Sequence, residues 1–332
     1  MNCFACKSIC FLLVMTIGLK SNTYIPIADD YTIYHQQVNY AEHLFLSGSV
    51  DSSIALYKKT FKEFGFVFAK DCIVAAQIAA YSNESESALY FIHRALLQGV
   101  KIICLKDIPI LDIYLAKADK WKHIGEVYDS LHTQYLRSID FKKKMKYVSY
   151  YLEEQNAKNN GSIDYTAIVY ANYSSIKKET LALGFPGDKV LGIDDESYTP
   201  ESEDGRLSCE NTLITLYHYP CSFTEMKELL LPEIKKGNIH PRDYAYISEF
   251  EHRLFVNNHN RFPQCNPSGN YSNYKIDWFK SYTEDEIKTI YDMRSKIYIC
   301  SFQQDLQKKE MEEKHNFKFF FGFGIGFFEG HR

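Results

Sequence analysis

His218 lies near the end of the apolar run LSCENTLITLYHY, and a histidine so placed can serve as a general base or a metal ligand. Glu249, Glu251, His252 and Arg253, on a following helical stretch, are the groups expected to share its site, close to a Gly-Pro loop. His218 is therefore the catalytic candidate of this chain. The competing reading is structural, because a buried histidine hydrogen-bonded to a neighbouring helix serves packing alone. His240, His252 and His259 lack the HxxxH and HExxH spacings of zinc hydrolases. No GxSxG elbow, Walker loop or dinucleotide fingerprint is present, so no cofactor is expected. The acidic stretch DDESYTPESEDG, Asp194 to Gly205, lacks the alternation, the glycine and the terminal glutamate of a calcium loop, and no metal is expected there.

Cysteine offers the other nucleophile and ligand chemistry. Of nine cysteines, Cys72, Cys104, Cys209, Cys221, Cys265 and Cys300 lie beyond the N-terminal region, without CxxC pairs, which removes zinc-ribbon and thioredoxin-type readings. One or two bridges fit an exported protein, while burial as small apolar side chains explains the rest. Cys209 and Cys221 would be about 18 Å apart on one helix and can pair only across a turn.

These candidates must be positioned by a chain of 332 residues, a length that favours two domains. With 45% hydrophobic and 24% charged residues the composition is that of a folded globular protein, and a net charge of −4 supplies no basic field for nucleic acid. Residues 1–21 contain Lys7 and the apolar run Ile9 to Leu19, too short for the roughly 20 residues of a membrane span and suited to a secretory signal. Removing it would take Lys7 and Lys20 and no acids, leaving −6. The expected location is outside the cytoplasm, in a bacterial periplasm or envelope.

From Tyr31 to about Leu97 the chain matches itself at an offset of thirty-four: Ala41 with Ala75, Leu44 with Ile78, Ile54 with Ala88, Ala55 with Leu89, Tyr57 with Phe91. Small residues where helices cross, followed by large ones a turn later, are the packing logic of stacked helical hairpins, and the segments resemble two tetratricopeptide repeats. Asp51 and Ser85 are the expected N-caps of the second helix in each. LDIYLAKADKWKHIGEVYDSLHTQYL reads as a degenerate third hairpin, and a charged helix from Lys142 to Glu154 as its cap, with KKKMK (Lys142 to Lys146) on a solvated face. NAKNNGSID, residues 156–164, is a polar linker, which gives a repeat domain over 31–155 and a helical domain over 162–315.

In the second half Gly184 and Pro186 end one helix, Ser222 and Glu225 are spaced as a capping box, Lys235, Lys236 and Gly237 close the next helix, and Pro241 opens another. Gly184-Phe185-Pro186, Gly192, His218, Leu230, Leu231, Pro232, Ile234, Lys235, Gly237, Ile239, Pro241, Tyr244 and Ala245 together resemble a bacterial domain-of-unknown-function family, the DUF six-six-two-four type, over residues 160–256. The family usually reads His-Ala-Asp where this chain has His218-Tyr219-Pro220, and an Asp-Arg pair where it has Glu249-Phe250. It has no established activity, so the resemblance implies a domain and draws attention to His218 without naming a reaction.

The tail over 316–332 contains FKFFFGFGIGFFEG, in which Phe319, Phe321, Phe323, Ile325 and Phe327 share one face at period two. It is expected to lie extended, docked on the protein's own fold or on a partner, with membrane contact as the alternative. The whole reads as a mostly α protein: tetratricopeptide-like hairpins, a helical domain and a short extended C-terminal segment. The expected role is an interaction or scaffold protein that holds a protein partner through the repeats. The alternative is a hydrolase-type enzyme with its site around His218.

Overall fold

The structure, a computed structural model, describes residues 30–117, 120–194, 207–258, 265, 271 and 283–321, without the side chains of 253–258. Residues 1–21, most of the 194–205 loop, Arg253 as a side chain and the tail beyond 321 therefore lie outside the described residues.

The class is mostly α, as the periodicity requires. Fifteen helices are described: α1 (Tyr31–Leu46), α2 (Val50–Glu63), α3 (Ala69–Tyr81), α4 (Ser85–Leu96), α5 (Ile102–Lys106), α6 (Pro109–Ala116), α7 (Lys120–Ser138), α8 (Phe141–Asn159), α9 (Tyr165–Leu183), α10 (Asp188–Leu191), α11 (Glu210–His218), α12 (Ser222–Lys235), α13 (Pro241–Asn258), α14 (Glu284–Lys296) and α15 (Phe302–His315). No strand is present among the described residues.

α1 with α2 and α3 with α4 form two antiparallel hairpins whose turns are built alike. Ser47, Gly48 and Ser49 donate to His43, Phe45 and Leu44; Ser82, Asn83 and Glu84 donate to Ile78, Ala80 and Ala79. The two turns sit thirty-five residues apart, one more than the offset that matches the buried Ile54 and Tyr57 with Ala88 and Phe91. Each turn needs one left-handed residue, Gly48 at φ +83 and Asn83 at φ +60, the two types that tolerate it best. The caps fall earlier than expected. Ser49 and Glu84 hold the N-cap positions, leaving Asp51 inside the first turn and Ser85 as the first helical residue.

α3 is buried along nearly its whole length, from Ala69 to Ala80, because α2, α4 and α6 cover it on several sides and the C-terminal segment crosses it. Phe317 and Phe319 enter the core of the first half, their rings 5.5 Å apart, with Phe317 packed on Phe45 and Tyr81. Between them Lys318 pairs with the buried Gln77, which accepts its N–H and donates to its carbonyl, both at 2.8 Å. The described part of the tail, residues 316–321, thus docks on the protein's own helices, with Asn316 and Phe320 left-handed at φ +58 and +52.

The second core gathers Tyr147, Tyr173, Leu213, Leu216, Phe223, Leu230 and Ile234 among others. α8 belongs to it, packed on α9 and α11, rather than capping the hairpin stack. Its lysines are not all solvated either. Lys144 is buried, donating to the Ile193 carbonyl at 2.5 Å and lying 3.7 Å from Asp194, while Lys143 and Lys146 pair with Glu179. Cys221 and Cys265 form a disulfide, and Cys72, Cys104, Cys209 and Cys300 are buried thiols.

Candidate functional site

α11 ends at His218, and the helix beside it determines what the imidazole can do. Nδ1 of His218 lies 2.6 Å from Oε2 of Glu154 on α8, a carboxylate fully enclosed by protein. The other oxygen, Oε1, accepts from Asn172 on α9 at 3.0 Å. Burial pushes the Glu154 carboxyl above the usual range, and the bonds from His218 and Asn172 pull it back. A carboxylate held this way fixes the ring orientation and favours the tautomer with hydrogen on Nδ1. The Tyr165 ring meets the imidazole edge-on, 6.2 Å between centroids. A histidine acting in proton transfer would need an orienting contact of this kind. Among the described residues no serine, threonine or cysteine is hydrogen-bonded to His218.

Of the partners expected for His218, Glu251 is engaged elsewhere. Glu251 on α13 turns to α12 and accepts from the amides of Phe223 and Thr224 at 2.5 and 3.0 Å, and from the Thr224 hydroxyl. It thereby caps the positive end of α12, the task assigned to the Ser222 and Glu225 pair. Glu225 is free to leave the cap because of this and binds Lys177, Tyr173 and Tyr219 at 2.6, 2.9 and 2.8 Å. The Gly184-Phe185-Pro186 loop is also remote. Twelve residues of α9 separate Asn172 from Gly184, about 18 Å at helical rise. That loop is held by Glu233 on α12, which accepts from the Phe185 amide and from Asn238, both at 2.7 Å. Gly187 is required there, since a Cβ would stand 1.6 Å from the Asn238 carbonyl oxygen. The residues of the family resemblance in this stretch form a docked pair of turns rather than a cleft around His218.

The densest chemistry is one that the sequence reading did not single out: buried ionic groups where the hairpins meet the second half. Lys70 on α3 donates to both oxygens of Asp243 on α13 at 3.0 Å. Beside it Asp71 accepts from Tyr34 at 2.8 Å, with Nε2 of His240 at 3.6 Å. His35 sets its ring edge-on to His240, 5.8 Å between centroids, and its Nε2 lies 3.3 Å from the Ile234 carbonyl. Burial, with the like charge of the other groups around them, pushes both histidines down, His35 to about 3, so both are neutral in the folded protein.

A second knot surrounds Asp305 on α15. Arg242 grips it with two bonds of 2.8 and 2.6 Å, Arg294 reaches the same carboxylate, and the Cys300 thiol donates to it at 2.9 Å. Lys308 bridges this group to Glu42 on α1. Burial opposes the charge on Asp305, but Arg242 and Arg294 overcome it and hold the carboxyl far below its ordinary range. Fully paired charges of this kind position helices and offer no open coordination or nucleophile. Among the described residues no group of histidine, cysteine, aspartate or glutamate side chains could hold a metal ion. A signal for this joint does exist in the sequence: Lys70, Asp71 and Gln77 interrupt the otherwise apolar helix AKDCIVAAQIAA.

A shallow pocket of about 330 Å³ opens between α1 and the turn joining α14 to α15, lined by Asn39, Tyr40, His43, Tyr298 and Gln304 among others. Tyr298 there is left-handed, φ +62, held by Asn39 donating to its carbonyl at 2.5 Å.

No family model, no curated protein and no solved structure matches this chain.

Proposed function

We propose that the chain is an exported, non-catalytic interaction or scaffold protein of a bacterial periplasm or envelope, with tetratricopeptide-like hairpins as its partner-binding part and a second half of the unknown-function family type. The observation that supports this reading is the pair of hairpins with one turn design and one buried register, since stacked hairpins present extended surfaces to partners. α1 and α3 face the second half, through Glu42, Lys70 and Gln77, and α7 covers α4, so the surface offered to a partner is that of α2. The test is capture from native cells after mild crosslinking, with the mature N-terminus read in the same experiment. A stoichiometric partner that Lys59→Glu with Lys62→Glu on α2 releases, and that His218→Ala keeps, supports the scaffold. A lone protein, or a partner indifferent to the α2 variants, overturns it.

The second reading, a hydrolase-type enzyme, is favoured by the 2.6 Å contact between His218 and Glu154. A His218→Ala protein that folds and retains every cellular phenotype rejects it.

A further inference from the structure

The pocket between α1 and the turn joining α14 to α15 is walled by side chains of one chemical kind. α1 contributes Gln36, Asn39, Tyr40 and His43, spaced three and four apart and so on one face of the helix. The turn and the helices it joins add Ser295, Tyr298 and Gln304, together with the buried Ile299 and Cys300. Among the described residues that line it there is no lysine, arginine, aspartate or glutamate, in a chain of which 24% is charged. The hollow therefore offers hydrogen bonds and aromatic rings without an ionic partner. Its volume of about 330 Å³ is at the small end for ligand pockets, a size suited to a small solute.

Its polar groups are set before any ligand arrives. Nδ2 of Asn39 donates to the Tyr298 carbonyl at 2.5 Å, and Nε2 of Gln304 donates to the Asn39 carbonyl at 2.9 Å, so each amide is pinned by its nitrogen and keeps its oxygen as an acceptor. Gln36, on the same wall, has an amide donor and an acceptor to give. Tyr298 is left-handed at φ +62, a conformation unfavourable for a bulky residue, and it is held there by Asn39, by its amide donating to the Ser295 carbonyl at 3.2 Å and by its ring stacked on His35. Arg294 donates to the Cys300 carbonyl at 2.8 Å and the Cys300 thiol donates to Asp305 at 2.9 Å, which ties the floor to the buried ionic knot. Tyr40 is 56% exposed, and its ring lies nearly parallel to that of His43, 6.2 Å between centroids.

We infer that this pocket binds a neutral saccharide, with the C–H face of one sugar ring laid on the Tyr40 ring and its hydroxyls shared among Gln36, Asn39 and Gln304. A sugar hydroxyl both donates and accepts, and a carboxamide answers with an acceptor and two donors. The C–H face of the sugar is apolar and packs on an aromatic face as other apolar groups do. Other ligand classes fit this wall less well. A carboxylate, phosphate or ammonium group would leave water for a site that offers no opposite charge. An extended peptide needs an open strand edge to pair with, and α1, α14 and α15 supply none. The site makes no use of α2, His218 or Glu154.

Isothermal titration of the full-length protein with neutral di- and trisaccharides of glucose, galactose, mannose and N-acetylglucosamine tests this, with sialyllactose and a heparin disaccharide as charged counterparts. Binding to at least one neutral sugar, unchanged between low and high salt, is expected. Tyr40→Ala is expected to weaken it about tenfold, whereas Tyr40→Phe keeps it, since the ring and not the hydroxyl does the stacking. Gln36→Leu is expected to weaken it by a similar factor. Both positions are exposed, so the thermal transition is expected to stay where it is. Absence of binding to every neutral sugar by the folded protein overturns the inference, as does binding that survives Tyr40→Ala and Gln36→Leu or that favours the charged sugars. Binding of a peptide through Tyr40 and Gln36 without sugar binding likewise overturns it and assigns the pocket to a protein partner.

Discussion

Lys70 on α3 and Asp243 on α13 are 173 residues apart in the chain and meet in a two-oxygen ion pair, buried on both sides, at the seam between the hairpins and the second half. Removing one partner leaves the other charged and enclosed. Lys70→Met or Asp243→Asn is expected to cost about 3–5 kcal/mol in urea unfolding, whereas Lys70→Met with Asp243→Leu is expected to recover most of that loss. A double variant as unstable as either single one would show that the pair contributes more than mutual neutralisation.

Acid is expected to weaken the same seam. His35 and His240 are held neutral, with His35 down at about 3, so the unfolded chain binds protons there that the folded one refuses. Their contribution is complete above about pH 6.5 and declines as pH falls toward 3. Glu42 and Asp71, whose carboxyls burial pushes up, act in the opposite direction, gaining as pH falls. His35 faces Tyr34, Phe68, His240 and Tyr298 as well as the Ile234 carbonyl, and His35→Phe removes one titration while keeping a ring among them. The denaturant midpoint of the native protein should drop between pH 7.5 and 5, and that of His35→Phe should drop less. Equal slopes would remove His35 as a source of the acid sensitivity.

Gly48 and Asn83 occupy the same place in two turns of one design. Gly48→Asn is therefore expected to cost only a few tenths of a kcal/mol, and Gly48→Val about 1–2 kcal/mol, although nothing stands within 4 Å of a Cβ there. Gly187→Ala, driven against the Asn238 carbonyl, should exceed both. Thermal midpoints of the three variants give the ranking directly.

Gln77→Leu keeps the volume of a buried side chain and removes both bonds to Lys318. The expected loss is about 1–3 kcal/mol, together with faster amide exchange and earlier proteolysis at 317–321. Unchanged protection of the Phe319 amide would assign the docking of the segment to Phe317 and Phe319 alone.

Features whose causes are local were legible in the sequence. Pro241 opening α13 and Gly184 closing α9 follow from backbone chemistry, and the match of Tyr57 with Phe91 follows from helical periodicity. His218 was found as a histidine at a helix end, but Glu154, 64 residues earlier, was not. The capping of α12 illustrates the reason. Ser222 and Glu225 have the right spacing for a local cap, yet Glu251, from another helix, reaches the same amides with a buried carboxylate and wins them. Lys144 sits in a basic run that reads as solvated, yet it is buried against the carbonyl of Ile193, the Tyr135 hydroxyl and the nearby Asp194. Partners brought together by tertiary packing leave no spacing to read.

The pairing of Gln77 with Lys318 spans 241 residues, and it closes the core around α3. The hairpins that are made first are therefore finished last. A growing chain that has passed α4 holds Phe45 and Tyr81 without the rings of Phe317 and Phe319, and it must wait for almost everything that follows before that gap is filled. Contacts of such length are slow to form, and the interval leaves aromatic surface open to chaperones or to other copies of the chain. The core of the first half is complete only when the last helix has been followed by Phe317 and Phe319.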